Sequence, residues 1–402
     1  MKSYYKIILA ILIITCSQKS FAQNLPDMLP QGANPDYETL RYYHFKYLTR
    51  TSYYDKVSIK ASTKPYEFKF NLKKNDENKF IVNQLDKTAL TSYLKYEDNQ
   101  ITMDMKSNKF FLEDDLQLYG HSYGKTITSY ILGHAICDGY IDSLDSKIDD
   151  WNLIKGSIYD NQKIIDVINM TAGDQKIVKY QYFKNGKGQV SDGSLKFLMM
   201  REDIKQEISK KKYNYNGLTA NIILNYIYFK TQNNFSYLLD KIFKDKVGIK
   251  NEVYFTRHPN QNLDDGPIRA VFYATRYDYL RIARAMLNDW NNDTCVGKYL
   301  KTLYKNKIKK NENRQTQTPF VLAKAYAGFF HTDYPGMNNR HVMGMDGYGG
   351  QSLLIDFDNK IIIAVHAIHE NYNWKKIVLI PIKKVTKLLI QIKFTIHLLS
   401  SF

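Results

Sequence analysis

Between Thr126 and Cys137 the side chains Ile127, Ile131, Leu132, Ala135 and Ile136 recur at three- and four-residue steps, and Asp138-Gly139 follows as a stop signal. This predicts a short amphipathic helix, and its apolar stripe needs a partner layer. The partner layer is divided between the two ends of the chain. Before the helix, Tyr66-Glu-Phe-Lys-Phe-Asn-Leu72 and, beyond the turn Asp98-Asn-Gln100, Ile101-Thr-Met-Asp-Met105 alternate as half-buried strands do. Far after it, Ser352–Phe357 and Ile361–Ile368 are apolar, β-branched runs joined by Asp358-Asn359, a hairpin signal. From about residue 140 to 250 the pattern is mostly helical, most clearly over Ile222–Phe243, and it is interrupted by the glycine- and charge-rich loop Lys184–Gly193. Ser191-Asp192-Gly193 within that loop reads as a turn. The expected architecture is a mixed α/β fold with a sheet assembled from early and late strands and helices inserted between them. At 402 residues the chain has room for one large domain or two joined ones.

The residues that open the helix carry chemistry. In Ser122-Tyr-Gly-Lys125 the hydroxyl and the amine are three apart, so on a helix they share a face within contact distance. A serine becomes a nucleophile at neutral pH only with such a neighbour. The helix start adds free N–H groups and positive dipole character, which favour the negative charge that develops in acyl transfer. The same spacing occurs at Ser3/Lys6, Ser92/Lys95 and Ser209/Lys212, and an N-cap serine is the plain structural alternative at Ser122. Only Ser122 is followed by a helix whose apolar stripe looks buried.

The stretch from Ser122 to Asp145 resembles the catalytic helix, and the turn after it, of the serine β-lactamase and penicillin-binding protein superfamily. Within it, the stretch is similar to the branch with class C β-lactamases, related esterases and 6-aminohexanoate-dimer hydrolases. Similar segments follow in that family's order at Ile165–Gly173 (with Ala172 at a customary serine), Tyr213-Asn-Tyr-Asn-Gly217, Tyr273–Arg284 and Gly347-Tyr-Gly-Gly-Gln351, and the set spans roughly residues 90 to 370. The resemblance implies a β-lactamase/transpeptidase-like α/β (α+β) fold, an antiparallel sheet flanked by helices with an inserted all-helical lobe. The sheet lobe would come from about 61–115 and 265–402 of a domain spanning 61–402, and the helical lobe from about 116–264. It implies Ser122 as nucleophile, Lys125 as its proton acceptor or electrostatic partner, and Tyr215 as the second catalytic position, with Tyr213 as the competing choice. The N–H groups of Gln351 and Ser122 would form the oxyanion hole, and Gly349 and Gly350 would let backbone approach the substrate. Tyr348 stands where β-lactamases carry a lysine, and no Lys-Thr-Gly occurs in the chain. A substrate carboxylate would lose a fixed cation there, which favours ester or amide hydrolysis over action on penicillin-like or peptidoglycan substrates. A hydrolase-like scaffold that binds an anionic polymer without catalysis is the alternative of a different class.

Met1–Ala22 reads as a secretory signal peptide, with Lys2 and Lys6 ahead of the apolar run Ile7–Ile14 and Ser20-Phe21-Ala22 as a cleavage site. The rival is a lipidated Cys16. The run is too short to span a bilayer, so no transmembrane segment is expected in the mature chain and export to the periplasm or medium is. Residues 23–60 read as an extended arm, marked by Pro26, Pro30, Gly32 and Pro35. Once the leader is gone, Cys137 and Cys295 remain. One disulfide is open to them, but Cys137 near the helix end reads more simply as a small buried hydrophobe. The formal charge of +17 suits anionic partners, yet the lysines are spread along the chain, no nucleic-acid signature appears, and packing accounts for the 33 tyrosines. No nucleic-acid partner is expected. His366 and His369 point to opposite strand faces, and neither HExxH nor paired CxxC occurs, so no metal or other cofactor is expected. The tail Lys383–Phe402 reads as a closing helix on the sheet, with an amphipathic membrane-surface segment as its alternative.

Overall fold

The computed structural model describes residues 36–50, 54–73, 76–110, 112–175, 193–205, 208, 211–310, 322–337, 339–369 and 374–382. The signal peptide, the first part of the arm, nearly all of the Lys184–Gly193 loop and the tail from Lys383 lie outside these residues.

The strands in chain order are β1 (Asp55–Ile59), β2 (Lys69–Phe70), β3 (Leu90–Glu97), β4 (Gln100–Lys106), β5 (Leu118–Tyr119), β6 (Val253–Arg257) and β7 (Ile268–Ala274). They continue with β8 (Ile308–Lys309), β9 (Ala325–Ala327), β10 (Phe330–Thr332), β11 (Val342–Gly347), β12 (Gln351–Asp356) and β13 (Ile361–Ala367). Nine of them form one sheet in the order β2-β4-β3-β13-β12-β11-β10-β9-β8, antiparallel except for β2 beside β4. The early strands β3 and β4 thus join the late hairpin, with β13 pairing β3 as the seam. β13 is buried along its whole length, because helical segments cover both faces of the sheet there. That is why Ile361–Ile368 reads as a continuous apolar run rather than an alternating one.

A second sheet, β1-β6-β7-β5, stands apart from the first. Two of its strands, β5 and β6, come from the 116–264 stretch, so that stretch is not wholly helical. The arm also departs from expectation. Asp36 caps a helix at Tyr37–His44 by accepting from the Thr39 N–H at 2.7 Å, the chain continues in a wider helical turn over Phe45–Thr49, and β1 follows. Tyr43 and Tyr47, one helical turn apart, are fully buried with Leu48, and this stripe draws the segment into the core. Of Tyr66–Leu72 only Lys69–Phe70 pairs, and Phe70 and Leu72 face solvent. The Ile222–Phe243 pattern resolves into Leu218–Thr231 and Phe235–Asp240, broken at Gln232, whose φ is +44°.

The helix Tyr123–Cys137 is the centre of the molecule. It packs against Leu218–Thr231, Cys295–Lys305, β7 and β11, and its residues from Tyr123 to Ala135 are buried except Lys125. The expected amphipathic helix is therefore buried on all sides, its polar face taken up internally: Thr126 donates to the Phe329 carbonyl and Thr128 to that of Gly124. Gly124 lets the helix touch β7, since a Cβ there would sit 2.3 Å from the Ala270 carbonyl oxygen. Gly124→Ala is expected to cost about 1–3 kcal/mol in urea unfolding, as overpacking against backbone does. An unchanged midpoint would mean that the helix can move away at no cost.

The two cysteines do not pack as separate hydrophobes. Cys137, the last helical residue, forms a disulfide with Cys295, the first of Cys295–Lys305, with Cα atoms 5.9 Å apart. His366 lies in β13 with Nδ1 3.1 Å from Ser92 Oγ, and burial pushes its pKa down to about 3. It is a neutral packing residue.

Candidate active site

Strand β5 ends at Tyr119, and the chain must then turn into the central helix within a few residues. His121 makes the turn in the left-handed region at φ +48°. Its ring stacks on Tyr119 at 3.7 Å between centroids, and its Nε2 lies 2.9 Å from the Tyr47 carbonyl oxygen. Burial lowers the His121 pKa to about 3, so the ring is neutral and Nε2 donates its hydrogen to that carbonyl.

Ser122 occupies the N-cap position, yet its side chain makes no capping hydrogen bond. Lys125 Nζ lies 2.8 Å from its Oγ and donates to it. The hydroxyl is therefore committed to the lysine rather than to the helix, which removes the plain N-cap reading. Burial lowers the Lys125 pKa to about 8. Among the described residues no other Ser-x-x-Lys spacing gives such a pair. Ser92 and Lys95 lie on β3, where Lys95 pairs with Glu77 at 3.2 Å, and Ser3 and Ser209 fall outside the described residues.

The Tyr213–Gly217 loop brings Tyr215 to the same place, with Lys125 Nζ 5.0 Å from the ring centroid. Tyr213 turns elsewhere, toward Tyr326 at 5.2 Å and Lys310 at 6.0 Å. What holds the loop is a residue that sequence reasoning missed. Buried Asp174 accepts from Asn214 Nδ2 at 2.7 Å, Asn216 Nδ2 at 3.0 Å and the Tyr159 hydroxyl at 2.7 Å. Asn216 in turn accepts the Thr219 N–H at the start of Leu218–Thr231. The one available signal was position: Asp174 directly follows Ile165–Gly173, whose Met170 carbonyl takes the Asn214 N–H. His331 and Lys310, beyond Tyr215, were missed as well.

The Gly347–Gln351 turn closes the site between β11 and β12. Gly349 and Gly350 have φ of +89° and +102°, a conformation reserved for glycine. Gly347 abuts the serine segment so closely that a Cβ would be 2.7 Å from the Gly120 carbonyl oxygen. Tyr348 is 39% exposed and leans against Tyr47 at 5.4 Å and His121 at 6.1 Å. Gln351 is buried. Its Nε2 donates to the carbonyls of Tyr47 and Tyr348, and its Oε1 accepts the Ala367 N–H. The end of the turn that touches the Ser122 segment is thus Gly347–Tyr348, whereas Gln351 sits opposite Gly347 in the ladder and pins the turn to β13. Among the described residues no group of three or more His, Cys, Asp or Glu side chains is arranged to hold a metal ion.

No protein-family model matches the chain, and no curated protein does. Solved structures do. A candidate 6-aminohexanoate-dimer hydrolase from Bacillus anthracis superposes with a TM-score of 0.62 at 15% identity, covering 89% of this chain and 95% of that one. A penicillin-binding protein homologue from Pyrococcus abyssi gives 0.54 at 14% identity over 76% of each chain. A class C β-lactamase solved with cefoxitin gives 0.51 at 12% identity, covering 76% of this chain and 99% of that one. At these identities the likeness is one of fold.

Proposed function

We propose that this chain, which has the fold of the serine β-lactamases and penicillin-binding proteins, is an exported serine hydrolase that cleaves an ester or amide through an acyl-enzyme on Ser122. The observation that carries the reading is the 2.8 Å contact between Lys125 Nζ and Ser122 Oγ at the start of a buried helix. With its pKa lowered to about 8, Lys125 has an appreciable neutral fraction near neutral pH, and in that form it accepts the serine proton as Oγ attacks the carbonyl. The tetrahedral oxyanion is held by the Ser122 N–H and by an N–H of the Gly347–Gln351 turn. By the family resemblance that donor is the N–H of Gln351, whose side chain is engaged elsewhere and is not needed for it. The leaving alcohol or amine takes its proton from Lys125 or through Tyr215, and water then attacks the acyl-serine by the reverse proton path. The disulfide supports an oxidising compartment, in keeping with the leader. Among the described residues no helix is long and apolar enough to cross a membrane.

A serine-directed fluorophosphonate is expected to add once to the mature protein, on the peptide that carries Ser122, as mass spectrometry will read. An adduct elsewhere, or none, sinks the reading. A panel of chromogenic esters, short amides and one cephalosporin separates substrates. Neutral Tyr348 predicts that the cephalosporin is the poorest, and a cephalosporin that outruns every ester and amide would move the assignment to a β-lactamase. The labelling rate is also expected to rise with pH through a limb near 8, because the proton acceptor works only when neutral and its neutral fraction grows as pH passes the Lys125 pKa. A rate that is flat from pH 6 to 10 would assign the proton to another group.

A further inference from the structure

The second sheet carries an aromatic row that leads to the nucleophile. Tyr254 of β6, Tyr273 of β7 and Tyr119 of β5 are partners across the strands, with rings stacked at 4.7 and 5.1 Å, and His121 continues the row at 3.7 Å from Tyr119. The row thus ends one residue before Ser122, where Tyr348 of the opposing turn meets His121 edge-on at 6.1 Å. Two arginines lie along it. Arg50 closes the wider helical turn Phe45–Thr49, and its carbonyl accepts the Tyr273 hydroxyl at 2.8 Å, so the chain is tied to the row there while Arg50 stays exposed. Arg269, half-buried on β7, sets its guanidinium 3.9 Å from the Tyr54 ring centroid and leaves a buried Nε without an acceptor. The charges of both reach the row. Burial, and for Tyr273 the neighbouring phenols, raise the pKa values of Tyr119 and Tyr273, and Arg50 and Arg269 oppose the rise. Arg50 also adds to the burial that lowers the His121 pKa, as Lys125 does from the serine's own helix. Among the described residues no carboxylate contributes to any of these three shifts, and neither guanidinium forms an ion pair. The acids of the adjoining strands are engaged: Asp55 by Arg257 at 3.4 Å, and Glu252 by the Ser58 hydroxyl at 3.4 Å.

We propose that Arg50 and Arg269 form an anion subsite beside Ser122, which takes a carboxylate borne by the ester or amide substrate. Guanidinium suits this role, because its planar fork of donors matches a carboxylate and it keeps its charge at any working pH. The cation that Tyr348 does not supply on the turn is offered instead beyond His121. By the resemblance, a cephalosporin's carboxylate is fixed where Tyr348 stands, so its expected place in the substrate panel is unchanged. The inference names a substrate class for the serine hydrolase reading and rests on that reading.

The test uses two matched pairs of aryl esters. In para-acetoxybenzoate against para-acetoxybenzamide the charge is on the leaving group, and in para-nitrophenyl para-carboxybenzoate against para-nitrophenyl para-carbamoylbenzoate it is on the acyl group. The readout is the ratio of kcat/KM, charged over neutral, from release of the phenol. Wild type is expected to prefer the charged member of at least one pair. Arg50→Gln and Arg269→Gln are each expected to lower that ratio about fivefold, mostly through KM, the scale of a partly exposed charge-assisted contact. Arg50→Lys keeps the charge and most of the ratio. Added salt lowers the ratio in wild type and leaves it flat in the double glutamine variant, because it screens a charge that the variant no longer has. Arg50 is exposed, so its substitution decides the question if circular dichroism shows that Arg269→Gln does not fold. A wild type that prefers neither charged ester, or a ratio that either substitution leaves intact in folded protein, overturns the inference and leaves the hydrolase reading standing. Absence of both ester turnover and the Ser122 adduct in wild type would overturn that reading, and the inference with it.

Discussion

Ser122→Ala is expected to lose the covalent adduct and substrate turnover altogether, and Lys125→Met to slow adduct formation by about 10²–10⁴-fold, the usual contribution of a positioned acid–base group. The two losses have different origins. Alanine removes the atom that bonds to the acyl group. Methionine keeps a flexible chain of similar length in the same buried slot, but it has no nitrogen to take the proton. Neither change should weaken the fold. Ser122 makes no helix-capping bond, and Lys125 is an ammonium held where burial disfavours its charge, so an apolar replacement relieves a cost. Lys125→Met should therefore unfold at a urea concentration equal to or above that of wild type while labelling far more slowly. Labelling of Lys125→Met at the wild-type rate would remove the lysine from the mechanism.

The second large effect concerns the disulfide. Cys137 and Cys295 are 158 residues apart, and closing a loop of that length restricts the unfolded chain by about 5 kcal/mol in the chain-entropy model. Reduction, or the double variant Cys137→Ser/Cys295→Ser, is expected to lower unfolding free energy by about 4–5 kcal/mol in urea titration, with little change in the labelling rate of native protein. Cys295 is exposed at the helix start, so a mild reductant can reach the bond. Alkylation of both thiols in protein that was never reduced would show the pair to be open and the expectation wrong.

How legible the chain was depended on the range of the forces involved. The Asp358-Asn359 hairpin and the Ser122 helix were readable because their signals are local: a turn residue between β-branched runs, and apolar side chains at helical steps. The helix was nevertheless misread as one-sided, because spacing reports where apolar residues lie and not that Thr126, Thr128 and Ser129 also find partners inside. The arm was misread because its prolines stop at Pro35, whereas the Tyr43/Tyr47 stripe that follows has only one turn in which to declare itself. The serine and its lysine were legible as neighbours in sequence. Asp174, His331 and Lys310 were not, since each reaches the site through contacts that no local pattern encodes. A lone aspartate after Gly173, or a lysine beside an edge strand, looks the same whether it faces solvent or is buried among polar partners. The disulfide is not legible in the sequence for the same reason, because nothing near Cys137 announces Cys295.

The carbonyl oxygen of Tyr47 takes a hydrogen bond from His121, next to the candidate nucleophile, and another from Gln351, which anchors the opposing turn 304 residues farther along than Tyr47. Two walls drawn from distant parts of the chain are thus surveyed from a common datum. A rigid drift of the N-terminal helix carries both walls with it and preserves the gap between them, much as moving a benchmark leaves the distance between two stakes unchanged. A substitution that rotates that single peptide plane has the opposite effect. It releases one wall from the other, and the width of the cleft then becomes a variable although no residue lining it has changed.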